Sequence, residues 1–179
     1  MRSAETPPTG TGTCAECGFD WSLPIEEAIA LVQGSPERCA LLFAGTESGA
    51  APRDGSVREH SADPGRWSPA AYLWHLVDVI RFGTERLWTL ALDPEAGVRG
   101  WDQEEVATAR RYDGLSVAVG LRALEVTVGD WTDAARGAPR GAVVVHPELG
   151  AVSTEDSIRR NAHEIQHHEL DILRGLGGT

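Results

Sequence analysis

The sequence predicts an all-α protein built as a four-helix bundle. Apolar residues recur at helical spacing in four long stretches of the 179-residue chain, and no stretch shows the regular alternation that is typical of a sheet. Connections of about twenty residues separate long helices, and connections of this length allow neighbouring helices to run parallel as well as antiparallel. The composition is that of a globular protein, because 41% of the residues are hydrophobic and 24% are charged.

The first helix is predicted to begin near Pro24, with acidic residues in its first turn, where they favour a helix N-terminus. The segment Gly34-Ser35-Pro36 interrupts this helix, which resumes and continues to Phe43. Residues 45–66 are rich in Gly, Pro, Ser and Asp and lack periodicity, so they are predicted to form a long loop.

The second helix has the clearest start signal. Ser68 is placed to cap it, and Pro69 occupies the first helical position, where its missing N–H costs nothing. The helix is expected to run to about Leu92, before Asp93-Pro94, because apolar residues recur along it at Leu73, Leu76, Ile80, Leu87 and Leu90.

Two further helices and a hairpin complete the predicted fold. A short helix at 102–111 lies within the second long connection, and a third long helix fits residues 115–135. The β-prone run 143–145 is followed by a turn, which suggests a small β-hairpin before the last helix. Thr154 is predicted to cap the fourth helix, which ends at Gly175.

The charge of the chain excludes several functions. Its formal net charge is −11, and all sixteen basic residues are arginine, so phosphate backbones and anionic lipid surfaces are repelled and no nucleic-acid or membrane partner is expected. Without lysine, neither a lysine Schiff base nor a Walker-type phosphate loop can form. There is no apolar run of about eighteen residues, and three cysteines are too few for a disulfide framework, so a cytoplasmic location is expected.

The amino-terminal segment carries a pair of cysteines, Cys14 and Cys17, in the motif Cys-Ala-Glu-Cys-Gly. Their spacing suits half of a tetrahedral zinc site or a redox dithiol, but a second cysteine pair is missing. A second metal site, a reactive dithiol and a tail without function therefore remain open. Cys39 lies in a helical pattern and is expected in the core. We divide the chain into a flexible segment, residues 1–22, and a bundle domain, residues 23–176.

A histidine cluster on the last helix makes a metal site the leading functional hypothesis. Two pairs with one-turn spacing compete for the metal: His163 with His167, and Glu164 with His168. On a helical wheel, Glu164 and His168 flank the core direction marked by Ile165. His163 and His167 point about 160° away from that direction and are expected to form a solvated surface pair.

A third ligand is available on the second helix. His75 lies at the flank of the apolar stripe of that helix, where a neutral imidazole without a partner is costly to bury. With Glu164 and His168 it forms a set of two histidines and one carboxylate that leaves coordination positions open. Asp78 and Asp171 each follow a proposed ligand by three residues and are either solvated carboxylates or partners of that ligand. Of the two, Asp171 is better placed to orient His168 through its other ring nitrogen.

Other polar residues carry weaker signals. His60 and His146 fall in predicted loops and are expected at the surface. Arg81 and Arg86 follow His75 on the same helix and could contact an anionic substrate, although surface positions are the simpler expectation for them.

These residues also carry a family resemblance. The motifs resemble those of the DinB-like superfamily over residues 23–176, and they are Trp67-Ser68-Pro69, Trp74-His75-Leu76-Val77-Asp78 and Glu164-x3-His168-x2-Asp171-Ile172. The resemblance implies a four-helix bundle with up-down-down-up topology. It also implies a metal held by one residue of the second helix and two of the last, here His75, Glu164 and His168.

The resemblance further suggests a chemistry. Many members have a histidine at the position of Glu164, whereas the mycothiol-dependent maleylpyruvate isomerase branch has a carboxylate there. A bound divalent ion, with Zn²⁺ expected, lowers the pKa of a coordinated thiol. The leading hypothesis is therefore an enzyme that activates a low-molecular-weight thiol, such as mycothiol, for S-transfer or isomerisation on a small electrophile. A metal-dependent hydrolase and a non-catalytic metal-binding stress-response protein are the alternatives, and either a monomer or a homodimer is compatible with the sequence.

Overall fold

A broken first helix, three further long helices and one short hairpin make up the fold in this computed structural model, which describes residues 12–44, 66–93, 95 and 97–177. Most of the predicted loop 45–66, including His60, and residues 1–11 lie outside the described residues. None of the described helices is both long and apolar enough to cross a membrane. In chain order the elements are α1 (Ile25–Gln33), α2 (Ser35–Ala44), α3 (Pro69–Leu92), α4 (Gln103–Arg110), a 3₁₀ turn (Tyr112–Gly114), α5 (Val117–Gly137), β1 (Val143–His146), β2 (Gly150–Ser153) and α6 (Thr154–Gly175).

Helices α3 and α6 pack against each other in opposite directions. The end of α6 lies beside the start of α3, because a Cβ atom added at Gly175 would sit 2.9 Å from Cγ of Pro69. Further along, α3 approaches α6 at Gly83, where an added Cβ would sit 2.7 Å from Nδ2 of Asn161. The two helices therefore run antiparallel, with little space between them at these glycines.

Helix α5 runs parallel to α3. Gly120, near the start of α5, packs against Leu73, near the start of α3. Near the other end of α5, the Trp131 indole donates a 3.0 Å hydrogen bond to Asn161, which is the residue that packs on Gly83. Asn161 thus joins α3, α5 and α6 at one level of the bundle.

The first helical unit, α1 with α2, runs parallel to α6. The Leu23 carbonyl, just before α1, accepts a 2.9 Å hydrogen bond from Arg159 near the start of α6. Arg38 in α2 pairs at 3.0 Å with Glu169, which lies later in α6. With α3 and α5 running the other way, the order is up, down, down and up. This confirms the predicted all-α bundle and the topology that the family resemblance implied.

The helix boundaries follow local chemistry closely. The Ser68 hydroxyl accepts a hydrogen bond from the Ala71 amide at 3.1 Å, and Pro69 is the first residue of α3, as predicted. The cap of α6 is Ser153, one residue before the predicted Thr154. The Ser153 and Asp156 side chains each accept from the other's backbone N–H, which forms a capping box.

The hairpin packs one face against the helices. Strands β1 and β2 are antiparallel, with Val144 opposite Val152 and His146 opposite Gly150. Val144 and Val152 are buried, whereas Val143 and Val145 are exposed. This alternation explains why the β-prone run forms a half-buried strand.

Residues 12–22 pack against the bundle, although this part of the chain was expected to be flexible. Phe19 and Trp21 are 1% and 5% exposed and join the main hydrophobic core. The Gln166 side chain of α6 donates a 2.8 Å hydrogen bond to the Cys17 carbonyl. Burial of two large aromatic rings supplies the apolar contact that orders this segment. The buried position of Cys39 agrees with the prediction.

The close approach of α3 and α6 at Gly83 predicts an unusual response to alanine. Alanine normally stabilises a helix relative to glycine, but at Gly83 its Cβ would collide with the buried Asn161 side chain. We expect Gly83→Ala to lower the free energy of unfolding by about 1–3 kcal/mol, as measured by denaturant unfolding.

Gly129→Ala provides the matched control on α5. No atom of the described residues lies within 4 Å of a Cβ added at Gly129, so this change should raise the free energy of unfolding by about 0.5–1 kcal/mol. Equal effects of the two substitutions would mean that α3 and α6 are not in close contact at Gly83.

Candidate metal centre

The antiparallel packing of α3 and α6 brings His75, Glu164 and His168 together. Oε2 of Glu164 lies 3.3 Å from Nε2 of His168 and 3.8 Å from Nε2 of His75. One nitrogen or oxygen of each side chain lies within 4.8 Å of those of the other two. Two of these residues are one turn apart on α6, and the third faces them from α3.

The environment of these side chains fits a bound cation. His75 is 1% exposed, and among the described residues neither of its ring nitrogens has a hydrogen-bond partner. Burial lowers the pKa of His75 and favours the neutral imidazole, which has a lone pair to offer. A buried polar ring without partners is costly, and coordination of a metal would remove that cost. The Glu164 side chain is 37% exposed, so the set is open to solvent on one side.

Asp171 orients His168. Its Oδ2 atom lies 3.0 Å from Nδ1 of His168, which leaves Nε2 facing Glu164. Burial lowers the pKa of His168, but the hydrogen bonds to Asp171 and Glu164 outweigh burial and raise the pKa to about 9. Asp171 is itself buried and accepts a 3.0 Å hydrogen bond from Arg66. The Tyr72 ring stacks on His168 at 5.3 Å.

Asp78 is buried too, but its contacts are with residues outside the histidine cluster. It accepts a 2.5 Å hydrogen bond from the Tyr112 hydroxyl and pairs with Arg110 at the end of α4. It therefore anchors the connection between α3 and α5. Of the two aspartates considered in the sequence analysis, Asp171 is the one that contacts a histidine of the cluster.

A cleft of about 650 Å³ opens beside His75 and Glu164. Phe82 and Trp101 line it with aromatic surface, and their ring centroids lie 4.6 Å apart. His146 also lines this cleft and is only 5% exposed, so its predicted surface position is wrong. It lies in β1, and its Nδ1 accepts hydrogen bonds from the amides of residues 148 and 149, which fixes the ring inside the hairpin turn.

Two arginines line the cleft together with acidic side chains, among them Glu148 and Glu164. Arg86 of α3 and Arg160 of α6 both line it. Burial lowers the pKa of each, and for Arg86 the neighbouring Arg160 lowers it further. Nε of Arg86 is buried without a hydrogen-bond partner in the described part of the chain. Arg160 and Trp101 are not among the site residues predicted from the sequence. Arg160 precedes Glu164 by one helical turn, a spacing that could have pointed to it, whereas Trp101 lies in a connection without periodicity.

The wheel-based prediction for His163 and His167 is wrong. They are 4% and 8% exposed, because residues 12–22 cover the side of α6 that faces away from α3. They lie beside Cys14 and Cys17, and the four ligand atoms fall within 4.8 Å of one another. The Cys14 Sγ atom is 3.9 Å from Nδ1 of His167. Burial raises the pKa of Cys14, but hydrogen bonds from the Cys17 backbone and from His163 outweigh it, and the pKa falls to about 6.

A third grouping, His167 with His168 and Asp171, joins these two clusters. Asp171 Oδ2 lies 3.0 Å from Nδ1 of His168 and 3.9 Å from Nε2 of His167. Because each of its histidines also belongs to one of the other clusters, this grouping connects them through one carboxylate.

Comparison with known proteins identifies a similar fold and a family. YfiT from Bacillus subtilis, described as a probable metal-dependent hydrolase with an unusual four-helix bundle topology, superposes with a TM-score of 0.64 at 15% sequence identity, over 87% of this chain and 89% of that one. No curated protein matches the chain. The family model of the DinB superfamily matches residues 7–172, which is most of the sequence, and the chain therefore belongs to the DinB superfamily.

Proposed function

We propose that this protein is a metal-dependent hydrolase that acts on a small anionic ester or amide. The observation that carries the proposal is the set of His75, Glu164 and His168, of which His75 and Glu164 line an open cleft. Support comes from the fold shared with YfiT, which is described as a probable metal-dependent hydrolase. Three protein ligands with an open side are typical of catalytic rather than structural metal sites.

His75, Glu164 and His168 would hold the metal. When bound, a divalent ion such as Zn²⁺ supplies Lewis acidity, which lowers the pKa of water and polarises a carbonyl oxygen. His75 contributes a neutral imidazole, because burial disfavours its protonated form. Glu164 contributes a negative charge, because hydrogen bonds to its histidine neighbours outweigh the desolvation of its carboxyl and hold the pKa well below the usual value.

The neighbouring side chains hold these residues in place. Asp171 engages Nδ1 of His168, so that Nε2 is the nitrogen left to face the cluster. The Trp67 ring packs edge-on against His75 at 5.1 Å. Locking the ligand rotamers in this way is what gives a metal site its geometry.

The cleft itself indicates the substrate class. Arg86 and Arg160 offer guanidinium groups that can pair with a carboxylate or another anion. Phe82 and Trp101 offer an apolar surface for the rest of a small molecule. A substrate with one anionic end and a short apolar body would fit both features.

The thiol chemistry implied by the resemblance uses the same three residues and stays a prediction. The two reactions differ in what they require. Hydrolysis needs only the loaded protein and its substrate, whereas thiol transfer needs an added low-molecular-weight thiol. Each assay should therefore be run with and without such a thiol.

We expect His75→Ala, His168→Ala and Glu164→Gln each to lose the metal at this site and to reduce ester hydrolysis to background, because each removes one of three ligands. The measurement is metal content by mass spectrometry together with hydrolysis of mono-para-nitrophenyl succinate in the absence of thiol. Glu85→Gln is the matched control, since Glu85 is an exposed carboxylate on α3.

Two results would contradict this assignment. Turnover that appears only when a thiol is added would favour S-transfer. Unchanged hydrolysis in all three ligand variants would remove the cluster from the reaction.

The arginines generate a second prediction. Arg86→Gln and Arg160→Gln should each lower kcat/KM for the succinate monoester by about 10-fold, the equivalent of one lost charge-assisted hydrogen bond. Hydrolysis of the neutral para-nitrophenyl butyrate should be unaffected, because it has no anion to pair.

Arg122→Gln provides the control, since Arg122 is exposed on α5 and paired with Glu125. Equal losses on the charged and the neutral ester would show that the arginines act on structure and not on substrate charge.

A further inference from the structure

We propose that the chain holds a second metal ion, a structural zinc, on Cys14, Cys17, His163 and His167. This cluster shares no residue with His75, Glu164 and His168. Its role is to fasten residues 12–22 to α6, and it does not depend on the proposed hydrolase activity.

The spacing of the donor atoms suits a tetrahedral ion. All four ligand atoms lie within 4.8 Å of one another. In a tetrahedral zinc site with Zn–S of about 2.3 Å and Zn–N of about 2.0 Å, a sulfur and a nitrogen lie roughly 3.5 Å apart. Sγ of Cys14 and Nδ1 of His167 are 3.9 Å apart, so a contraction of a few tenths of an ångström would bring both into bonding range.

The backbone shapes the cysteine pair before any ion binds. The Gly18 amide donates to the Cys14 carbonyl at 2.8 Å, and the Cys14 amide donates to the Phe19 carbonyl at 2.8 Å. Gly18 has a φ of +72°, a conformation that glycine adopts without strain. This tight turn places Cys17 next to Cys14, as a two-residue spacer between zinc ligands requires.

The histidine pair supplies the other half of the site. His163 and His167 are one helical turn apart on α6, and C-x2-C combined with H-x3-H is a typical ligand pattern of structural Cys₂His₂ zinc sites. His163 is 4% exposed, and its Nε2 atom has no hydrogen-bond partner among the described residues. A buried ring nitrogen left unpaired is destabilising, and a bond to zinc would remove this penalty.

The surroundings favour a closed, structural site over a reactive dithiol. Trp21 packs on the His163 ring at 4.7 Å, and Phe19 packs on it edge-on at 5.5 Å. Four protein ligands complete a tetrahedron and leave no position for substrate. Two thiolates also balance the charge of Zn²⁺, so the filled site adds no net charge to a largely buried region.

Metal counting on the full chain tests the proposal. The zinc-loaded protein should contain about two ions per chain, and the double variant Cys14→Ser with Cys17→Ser should contain about one, a twofold loss. Cys39→Ala is the matched control and should retain both ions, because Cys39 is buried in α2 and belongs to none of the ligand groups found in the described part of the chain. An unchanged metal count in the double variant would overturn the proposal.

Cobalt substitution tests it on the wild-type protein, with His75→Ala as a second sample. Wild-type protein loaded with Co²⁺ should show the near-ultraviolet charge-transfer band of thiolate ligation, and His75→Ala should keep that band while losing the other ion. Loss of the band in His75→Ala, or its absence from the wild type, would overturn the second site. Failure of ester hydrolysis would leave both the band and the metal count unaffected, so the two proposals can fail separately.

Discussion

The candidate metal centre and the register of the bundle depend on the antiparallel contact between α3 and α6. The two helices approach closely because glycines lie at their points of contact, with Gly83 against Asn161 and Gly175 against Pro69. Asn161 then bonds Trp131 of α5 and so fixes a third helix at the same level. With the helices held in this register, His75 of α3 faces a residue pair one turn apart on α6. The candidate metal centre is thus a consequence of the helix packing and needs no loop to assemble it.

Helix α6 serves both clusters at once, and this explains its buried polar residues. Such groups are costly unless paired. Here several of them contact one another: Asp171 contacts His168 and Arg66, and Glu164 contacts histidines on both sides, with His163 Nδ1 at 3.7 Å. Filling one metal site would therefore restrict the side chains that shape the other. Residues 12–22 would be held by the second metal ion against the side of α6 opposite to α3.

Much of this could be predicted from the sequence, because local signals are strong. Capping residues and apolar periodicity indicated α3, α5, α6 and the hairpin to within a few residues. The wheel placed Glu164 and His168 at the core flank, where the structure also has them beside His75. The cap of α6 was displaced by one residue because Ser153 and Thr154 are both good caps, and only the side-chain hydrogen bonds decide between them.

What the sequence could not provide was tertiary placement. A helical wheel predicts which face of a helix is buried against one core. It does not show whether a segment distant in sequence covers another face. Residues 12–22 cover the supposedly solvated side of α6, so His163 and His167 became buried partners of the cysteine pair. The sequence contains no second cysteine pair, and the side chains that lie beside Cys14 and Cys17 are histidines about 150 positions further along the chain. Trp101 and His146 joined the cleft through loop and hairpin geometry that no periodicity encodes.

Charge places a further constraint on how the cleft would recognise a substrate. A chain with net charge −11 repels anions at long range, but that field is screened over a Debye length of about 8 Å at physiological ionic strength. Within that distance the local groups dominate, and at this cleft they include Arg86 and Arg160, partly desolvated and facing the same volume. Desolvated guanidinium groups bind anions more strongly than exposed ones. An acidic surface is therefore compatible with an anion-binding cleft. Salt screens the long-range repulsion from the acidic surface, whereas the arginines would contact the anion directly. Acidic side chains beside the two arginines, Glu148 near Arg86 and Glu164 near Arg160, partly offset the repulsion between their charges.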